Sequence, residues 1–320
     1  MTGVKRTRFL AEAVNRDYGF FIRAQPPLVD ARTRFQKIEV FDTPMFGRVL
    51  RLDNVFQTSE RDEFFYHENL CHVGAISHPA PRRALVIGGG DGGAVEELLK
   101  HNTMQRVVLA ELDEGVVEAA KQHLQAIHRG AFGDPRLEVR IGDGKAFIES
   151  GAEQFDQIVI DLTDASGPSL ALYTREFYTA CRQVVGAGGV VSLHCESPIA
   201  HPQTFNQIVK TLQSVFGIVR PCLVYVPLYG MLWGMAFASD TLDPLALSEA
   251  EVDRRIAERG LTHLQYYNGA MHRAGFCLPN FVRELLAQPA APLTTSTPVA
   301  DEVVATEDRG YLEVVERPRG

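Results

Sequence analysis

Three aspartates have the residue type and the spacing to bind a cation and to move a proton. Asp161 and Asp164 end a short apolar segment, three residues apart, and Asp91 lies inside a run of glycines. If these side chains meet at one edge of a sheet, their carboxylates repel one another unless a cation lies between them. A polycation such as a diamine fits this cluster, and one carboxylate can take a proton from an ammonium to leave a nucleophilic amine. A magnesium site and helix capping are the alternatives.

The glycine run around Asp91 has the pattern of a nucleotide-binding loop. Gly88, Gly90 and Gly93 satisfy G-x-G-x-x-G between an apolar segment and a helical pattern. Glu111 follows about 20 residues on, where an acid can bind ribose hydroxyls. A carboxylate in this loop repels a pyrophosphate but attracts an ammonium or sulfonium by roughly 4 kcal/mol at 4 Å. The loop therefore favours an S-adenosylmethionine-type ligand over a dinucleotide, with a ligand-free turn and a helix N-cap as alternatives.

Two further segments supply candidate pocket residues. Asp143 and Gly144 directly follow an apolar segment, at a position that faces the ligand crevice of such a sheet. Asp143 can accept a hydrogen bond from an adenine amino group, and a simple Asp-Gly turn is the alternative. Tyr66 and His67 belong to a polar and aromatic stretch upstream, and they are expected either to line the pocket or to take ordinary core or surface positions.

The elements that must position these residues alternate between strand and helix from Arg83 onward. Repeated β-α units of this kind predict an α/β fold with a mainly parallel sheet covered by helices on both faces. Thr174 is a predicted helix N-cap. The predicted strands are Ala84–Ile87, Arg106–Leu112, Leu137–Ile141, Phe155–Asp161, Gly189–Leu193, Ile218–Val226 and Met231–Ser239.

The chain divides into three predicted regions. Residues 1–78 form a β-rich N-terminal domain, because short strand patterns alternate with turn signals there. Residues 79–287 form the α/β catalytic domain, and residues 288–320 form a mostly disordered tail rich in Pro, Thr and Ala. The strands predicted for the first region are Tyr18–Ile22, Gln36–Phe41, Gly47–Leu52 and Val55–Thr58.

Composition narrows the class of protein. The 320 residues include 32 Lys+Arg and 40 Asp+Glu, and this net charge of −8 argues against a general nucleic-acid binder. The five cysteines form no CxxC pair, which is typical of reduced, cytosolic proteins. No apolar run approaches the about 18 residues needed to cross a bilayer, and the N-terminus lacks a signal-peptide core. We therefore expect a cytoplasmic protein with no nucleic-acid or membrane partner.

Several separated motifs occur in the same order as in the polyamine aminopropyltransferases, the spermidine synthase family, which this sequence resembles. The resemblance spans roughly Arg34 to Leu286. It implies a Rossmann-like, methyltransferase-type catalytic domain with a small N-terminal β domain, and a homodimer or homotetramer. The similar segments are FGRVLRLDNVFQTSERDEFFYHE, GGGDGG followed by Glu111, DPRLEVRIGDG, FDQIVIDLTD followed by Gly-Pro, and YYN…H…LP near the C-terminus.

The resemblance also implies a role for each candidate residue. Asp161 would be the catalytic proton acceptor, and Asp164 would help to hold the amine. Asp91 would bind the aminopropyl ammonium of decarboxylated S-adenosylmethionine. The other residues implied for the amine and aminopropyl pocket are Gln57, Tyr66, His67 and Tyr229. Those expected around the nucleoside are Gly88 and Gly90 of the loop together with Gln36, Glu111, Asp143, Gly144 and Pro168.

The implied reaction moves the aminopropyl group of decarboxylated S-adenosylmethionine to putrescine, giving spermidine and methylthioadenosine, with no metal and no further cofactor. The alternatives are another acceptor amine (cadaverine, agmatine or spermidine), an S-adenosylmethionine-dependent methyltransferase, and a non-catalytic polyamine- or nucleoside-binding protein. Carboxylated S-adenosylmethionine is disfavoured, because its carboxylate would approach Asp91.

Two departures from the family pattern lie where the amine should bind. Ala165 stands in place of the proline that usually follows Asp-x-x-Asp. The stretch around Tyr229 is one residue shorter than usual, with Leu228 where threonine is common. Glu196 also falls near this pocket. These departures affect the prediction of which amine is the acceptor more than the prediction of the reaction type.

Overall fold

The computed structural model describes residues 6–15, 17–165, 167–297 and 311–315. Its N-terminal part holds short antiparallel strands that confirm the four predicted ones to within two residues, together with two more. These strands are β1 (Arg6–Ala13), β2 (Gly19–Ala24), β3 (Pro27–Arg32), β4 (Lys37–Thr43), β5 (Gly47–Leu52) and β6 (Val55–Ser59). The strands β3 to β6 pair in chain order, whereas β1 and β2 belong to a separate sheet.

A seven-stranded sheet forms the centre of the molecule. Its strands are β7 (Arg83–Gly88), β8 (Arg106–Glu111), β9 (Leu137–Ile141), β10 (Gln157–Asp161), β11 (Val190–His194), β12 (Ile218–Val226) and β13 (Met231–Ser239). The order is β12-β13-β11-β10-β7-β8-β9. The strands β7 to β11 are parallel to one another, whereas β13 pairs antiparallel with both β11 and β12. The predicted α/β fold with a mainly parallel sheet is confirmed. The carboxyl ends of β7, β8, β9 and β10 therefore lie at one edge.

Helices cover both faces of this sheet. They are α1 (Glu63–Ser77), α2 (Gly93–Leu99), α3 (Glu114–His123), α4 (Gln125–His128), α5 (Gly144–Glu149), α6 (Arg175–Val185), α7 (Pro202–Gln213), α8 (Glu249–Glu258), α9 (Gly269–Ala274) and α10 (Asn280–Ala287). Alternate residues of β7 point to opposite faces: Leu85 and Ile87 pack with α6 and α7, and Val86 packs with α1 and α2. Thr174 caps α6, as predicted. Within the described ranges, no helix is long and apolar enough to cross a membrane.

The helix α1 corrects the prediction for residues 63–77. This stretch was assigned to the β-rich region, but it is a helix that packs into the core of the large sheet. Of its 15 residues, 13 are buried, including Glu63, His67 and His72. A helix that is buried on all sides has no apolar stripe along one face. The apolar residues of this stretch therefore lack the 3.6-residue spacing that would predict a helix.

The C-terminal region differs from the predicted disordered tail in two places. Leu293 is 4% exposed, and its backbone N–H donates to Thr211 Oγ1 at 2.8 Å. Residues Tyr311–Val315 form a strand, β14, that pairs antiparallel with β1 and makes a three-stranded sheet of β14, β1 and β2. Residues 298–310 and 316–320 lie outside the described ranges. Both contacts are made with distant parts of the chain, which local composition does not reveal.

Candidate active site

The end of β10 touches the glycine loop that follows β7. Asp161, the last residue of β10, pairs with Gly88, and its carbonyl oxygen accepts a hydrogen bond from the backbone N–H of Gly89 at 2.8 Å. Gly88 has a φ of +76°, and a Cβ there would lie 2.1 Å from the Asp161 carbonyl oxygen. Glycine at position 88 therefore lets the loop approach the strand end, which brings Asp91 and Asp161 to one place.

Asp91 and Asp161 meet on either side of His67. Asp91 Oδ1 accepts the backbone N–H of Gly93 at 2.8 Å, which leaves Oδ2 at 3.6 Å from His67 Nε2. Asp161 Oδ2 lies 4.0 Å from the same ring nitrogen. Asp91 thus bonds the first turn of α2, as in the capping alternative, while its second oxygen faces the predicted pocket. The bond to α2 leaves this second oxygen available, and its binding of a cationic ligand stays a prediction.

Asp161 is a buried carboxyl group with an unusual titration. Burial raises its pKa from 3.8 to about 6, and the charge of Asp91 adds to this rise, while His67 and the hydrogen bond from Tyr66 oppose it. The Tyr66 hydroxyl donates to Asp161 Oδ1 at 3.0 Å. Asp161 Oδ2 accepts no hydrogen bond from the described residues. The side chain is ionised at neutral pH and is a stronger base than an ordinary aspartate.

His67 is the cation of this cluster. Burial alone would lower its pKa, but Asp91, Glu63 and Asp161 outweigh burial and raise the pKa to about 10. Its Nδ1 donates to Glu63 Oε2 at 2.9 Å. One ring nitrogen of His67 and one carboxylate oxygen each of Asp91 and Asp161 lie within 4.8 Å of one another, close enough to bind one cation. A protonated imidazole has no free lone pair for a metal ion, so a metal could bind this cluster only if the ring released its proton.

A cavity next to Asp161 collects four of the residues predicted for the amine and aminopropyl pocket, whereas His67 and Asp91 lie outside its lining. Gln57, Tyr66, Asp164 and Tyr229 all line it. The hydroxyl of Tyr229 donates to the backbone carbonyl of Gln57 at 2.6 Å, and the Tyr229 ring centroid lies 6.3 Å from that of Tyr66. Further lining residues, for which the sequence analysis predicted no role, include Glu12, Leu162, His194, His201, Met231 and Trp233.

Glu12 is the acid in this cavity that sequence reasoning missed. It lies in β1, outside every recognised motif, and accepts the backbone N–H of Phe56. Burial raises its pKa to about 8; the Phe56 hydrogen bond opposes this rise, and the charge of Asp164 adds to it. Only the packing of β1 against the catalytic domain reveals this residue, and no signal in the local sequence indicates it.

Glu111 and Gln36 lie on the opposite side of the loop, where the nucleoside was predicted. Glu111 ends β8, and its Oε1 accepts the backbone N–H of Asp113 at 2.8 Å. A Cβ at Gly90 would lie 2.9 Å from Glu111 Oε2, so the carboxylate lies directly against the loop. Burial raises the pKa of Glu111 to about 7. The side-chain amide of Gln36 donates to Asp113 Oδ2 at 3.1 Å, which ties the N-terminal sheet to this edge.

The remaining predicted nucleoside residues follow β9 and β10. Asp143 is exposed, and its side chain caps α5 by accepting the backbone N–H groups of Lys145 and Ala146. Its contact with adenine stays a prediction. Gly144 is buried, and a Cβ there would lie 2.6 Å from Ile87 Cγ2. The backbone of Pro168 belongs to a short 3₁₀ helix, Gly167–Leu172, and its side chain lies outside what the structure describes.

Both departures from the family pattern have a structural counterpart. The backbone N–H of Ala165 donates to Glu196 Oε1 at 2.6 Å, a bond that proline cannot make. Leu228 is 1% exposed and packs in an apolar cluster with Phe41 and Phe56 of the N-terminal sheet. Ala165 and Leu228 are the chain neighbours of Asp164 and Tyr229, which line the cavity.

Comparison with known families decides the class of protein. Residues 63–247 match the family model described as the spermine/spermidine synthase domain, and residues 17–60 match the spermidine synthase tetramerisation domain. The chain belongs to the spermine/spermidine synthase family. It is therefore an enzyme of the aminopropyltransferase type, and the predicted family and Rossmann-like fold are confirmed. The tetramerisation match supports the expected homo-oligomer.

Individual relatives agree with this assignment. A polyamine aminopropyltransferase of Nitrosomonas europaea is 49% identical over 308 residues, which cover 96% of this chain and 95% of that protein. Polyamine aminopropyltransferase 2 of Hyperthermus butylicus is 40% identical over 294 residues, 91% of this chain and 96% of that protein. A crystal structure of a spermidine synthase in complex with the transition-state analogue AdoDATO has a TM-score of 0.82 and 35% identity, covering 87% of this chain and 94% of that one.

Proposed function

We propose that this enzyme transfers the aminopropyl group of decarboxylated S-adenosylmethionine to putrescine, forming spermidine and methylthioadenosine. The observation that carries the proposal is the position of Asp161. It lies near Asp91 and His67 on one side and bonds Tyr66, which lines the cavity, on the other. An electrophile bound on one side and an amine bound on the other would meet at this carboxylate. A structurally similar spermidine synthase forms a complex with AdoDATO, a transition-state analogue, and this supports the proposed type of reaction.

The donor is proposed to bind along the carboxyl edge of the sheet. Glu111 would accept hydrogen bonds from the ribose hydroxyls, since its carboxylate lies against the loop at Gly90. Asp91 would bind the aminopropyl ammonium through Oδ2. The remaining proposed contacts of the nucleoside are with Gly88, Gln36, Asp143, Gly144 and Pro168.

The acceptor is proposed to occupy the adjoining cavity. Asp164 would hold its distal ammonium, and the other proposed contacts of the amine and aminopropyl chains are with Gln57, Tyr66, His67 and Tyr229. The amine nitrogen attacks the carbon bonded to sulfur, a C–N bond forms, and the C–S bond breaks with its electron pair left on sulfur. Before the attack, Asp161 accepts the proton of the substrate ammonium, which leaves its nitrogen with a free lone pair. Orientation of the reactants supplies most of the rate, because the sulfonium is already a good leaving group.

The same geometry disfavours the methyltransferase alternative. Carboxylated S-adenosylmethionine would bring a second carboxylate towards Asp91 and Asp161, a repulsion of about 4 kcal/mol for each charge pair at 4 Å. No step of the proposed reaction requires a metal ion or a further cofactor. We also propose a homotetramer, on the match of residues 17–60, and a cytoplasmic enzyme, on its five free cysteines.

The test combines purified enzyme with decarboxylated S-adenosylmethionine and a panel of amines, and it measures methylthioadenosine release. We expect putrescine to give the highest kcat/KM among putrescine, cadaverine, agmatine and spermidine. A higher value for another amine would overturn the acceptor assignment. Absence of release with every amine would overturn the transfer itself.

A further inference from the structure

The ring of His67 is held at a fixed place and in a fixed orientation. It packs flat against the start of α2, where a Cβ at Gly93 would lie 2.2 Å from His67 Cε1. The side chain is 2% exposed. Its two nitrogens face opposite ways, with Nδ1 towards Glu63 and Nε2 towards the carboxylates of Asp91 and Asp161. The side chain that binds Nδ1 therefore decides how Nε2 is presented to the reacting carboxylates.

Glu63 has both oxygens engaged in this arrangement. Oε2 accepts the Nδ1–H of His67 at 2.9 Å, and Oε1 forms an ion pair with Arg129 at 2.7 Å. Glu63 is 2% exposed, and its i,i+4 relation to His67 places both side chains on one side of α1. Arg129 also contacts Glu96 Oε2 at 3.1 Å. A continuous chain of charged contacts thus runs from the surface through Glu63 to the carboxylates.

We propose that Glu63 is a positioning residue for the aminopropyl transfer: held by Arg129, it fixes His67 as a protonated ring that faces Asp91 and Asp161. This inference rests on the proposed function, since it deepens the role of the same site. Glu63 touches no reacting atom in this account and acts through the imidazole alone.

The charge of the ring follows from its neighbours. With the ionised Glu63 accepting Nδ1–H, a neutral imidazole would present a bare lone pair at Nε2 to two carboxylates. Only the protonated ring satisfies both sides at once. A glutamine at position 63 can instead donate to Nδ1, and the ring can then be neutral with its proton at Nε2. The substitution therefore removes one positive charge beside Asp161 without removing the histidine.

Loss of that charge changes the titration of Asp161 in a known direction. Burial raises the pKa of this carboxyl, and the positive ring of His67 opposes the rise. A neutral ring leaves burial and the charge of Asp91 less opposed, so the carboxyl takes up its proton at a higher pH. The titratable or charged groups that face His67 and Asp161 within the described residues are Asp62, Glu63, Tyr66, Cys71, Asp91 and Tyr229, with Arg129 behind Glu63.

The test compares Glu63→Gln with Glu96→Gln in the full-length enzyme. Glu96 contacts the same Arg129 but does not touch His67, so it is a matched control. We expect Glu63→Gln to lower kcat/KM for decarboxylated S-adenosylmethionine by up to about 100-fold, the loss typical of a misplaced catalytic group. The acidic limb of the pH–rate profile should move to higher pH. Glu96→Gln should keep the wild-type limb.

A double-mutant cycle separates positioning from a general loss of structure. In the His67→Asn background, Glu63→Gln should cause no further shift of the limb, because its effect passes through the ring. If Glu63→Gln does not fold, Arg129→Gln removes the clamp and should move the limb in the same direction. An unchanged limb in Glu63→Gln, or an equal shift in Glu96→Gln, would overturn the proposal.

A readout without activity keeps this inference distinct from the proposed function. The Cε1–H resonance of His67, assigned with His67→Asn, should remain that of a protonated ring above pH 8 in the wild type. In Glu63→Gln the ring should lose its proton at lower pH. Identical titrations would contradict the positioning role. Absence of transfer by the wild type with every amine would contradict the proposed function and leave this titration measurable.

Discussion

Replacement of Asp161 by asparagine should separate activity from stability in this enzyme. The asparagine has nearly the same shape, and its side-chain oxygen can still accept the hydrogen bond that Tyr66 donates at 3.0 Å. It removes the negative charge and the proton-accepting ability together. Because burial raises the pKa of Asp161 only to about 6, this carboxyl carries a negative charge at neutral pH in the wild type.

The two expected effects have opposite signs. Loss of a general base lowers kcat by about 10²- to 10⁴-fold. The raised pKa means that ionisation of Asp161 opposes folding, by on the order of 3 kcal/mol for a rise from 3.8 to about 6. This destabilisation of the wild type is absent below pH 4 and complete above pH 6. Asp161→Asn should therefore unfold at a higher temperature than the wild type at pH 7.5, and the difference should vanish near pH 4.

Two assays test this prediction together. Methylthioadenosine release with saturating decarboxylated S-adenosylmethionine and putrescine gives kcat, and thermal unfolding at pH 4 and pH 7.5 gives the stability difference. Matched binding of methylthioadenosine to both proteins is the control for an intact nucleoside site. A variant with wild-type kcat would refute the role of Asp161 as base. A variant less stable than the wild type at pH 7.5 would refute the burial argument.

Three further substitutions test other parts of the site. Asp91→Asn should raise KM for decarboxylated S-adenosylmethionine by at least 10-fold, with little change in the affinity for methylthioadenosine, which lacks the ammonium. An equal loss of affinity for both ligands in calorimetry would contradict the charge argument. Tyr66→Phe removes a hydrogen bond that lowers the pKa of Asp161, so the acidic limb of the pH–rate profile should move to higher pH, and a shift to lower pH would be inconsistent with this contact. Ala165→Pro deletes the N–H that bonds Glu196, and the loss of this bond to a buried acceptor should destabilise the fold by about 1–3 kcal/mol. KM for the amine should rise about 10-fold or more in steady-state kinetics. An unchanged KM would show that this bond does not shape the cavity.

The strand-end residues were predictable from the sequence because two local rules place them. Parallel strands share one carboxyl edge, so Asp91, Glu111 and Asp161 had to lie near one another once their strands were recognised. The glycine at position 88 was equally visible, since the loop must turn tightly where β10 approaches it. The negative charge of these carboxylates then favoured a cationic ligand.

Other parts of the site could not be predicted, because they depend on contacts between distant segments. The sequence does not indicate a role for Glu63, because its partner Arg129 lies 66 residues away and α1 shows no apolar stripe. Glu12 enters the amine cavity only because β1 folds over it. The strand β14 has the sequence YLEVV, whose aromatic and β-branched residues are typical of a strand, but the Pro- and Thr-rich residues before it led to the prediction of disorder.

The electrostatic design explains how so many buried acids coexist. Asp91, Asp161 and Glu63 all lie within hydrogen-bond or ion-pair range of His67. The positive ring and the Arg129 guanidinium offset part of this negative charge before any substrate binds. A net negative charge remains, which suits a donor that carries both an ammonium and a sulfonium.

The central claim is tested most directly by product analysis in a reaction with two substrates only. Purified enzyme, decarboxylated S-adenosylmethionine and putrescine are incubated with a metal chelator, and the products are quantified by mass spectrometry. The account predicts spermidine and methylthioadenosine in equal amounts, at a rate that the chelator does not change. Formation of neither product, or of a methylated amine and S-adenosylhomocysteine when S-adenosylmethionine is supplied instead, would contradict it.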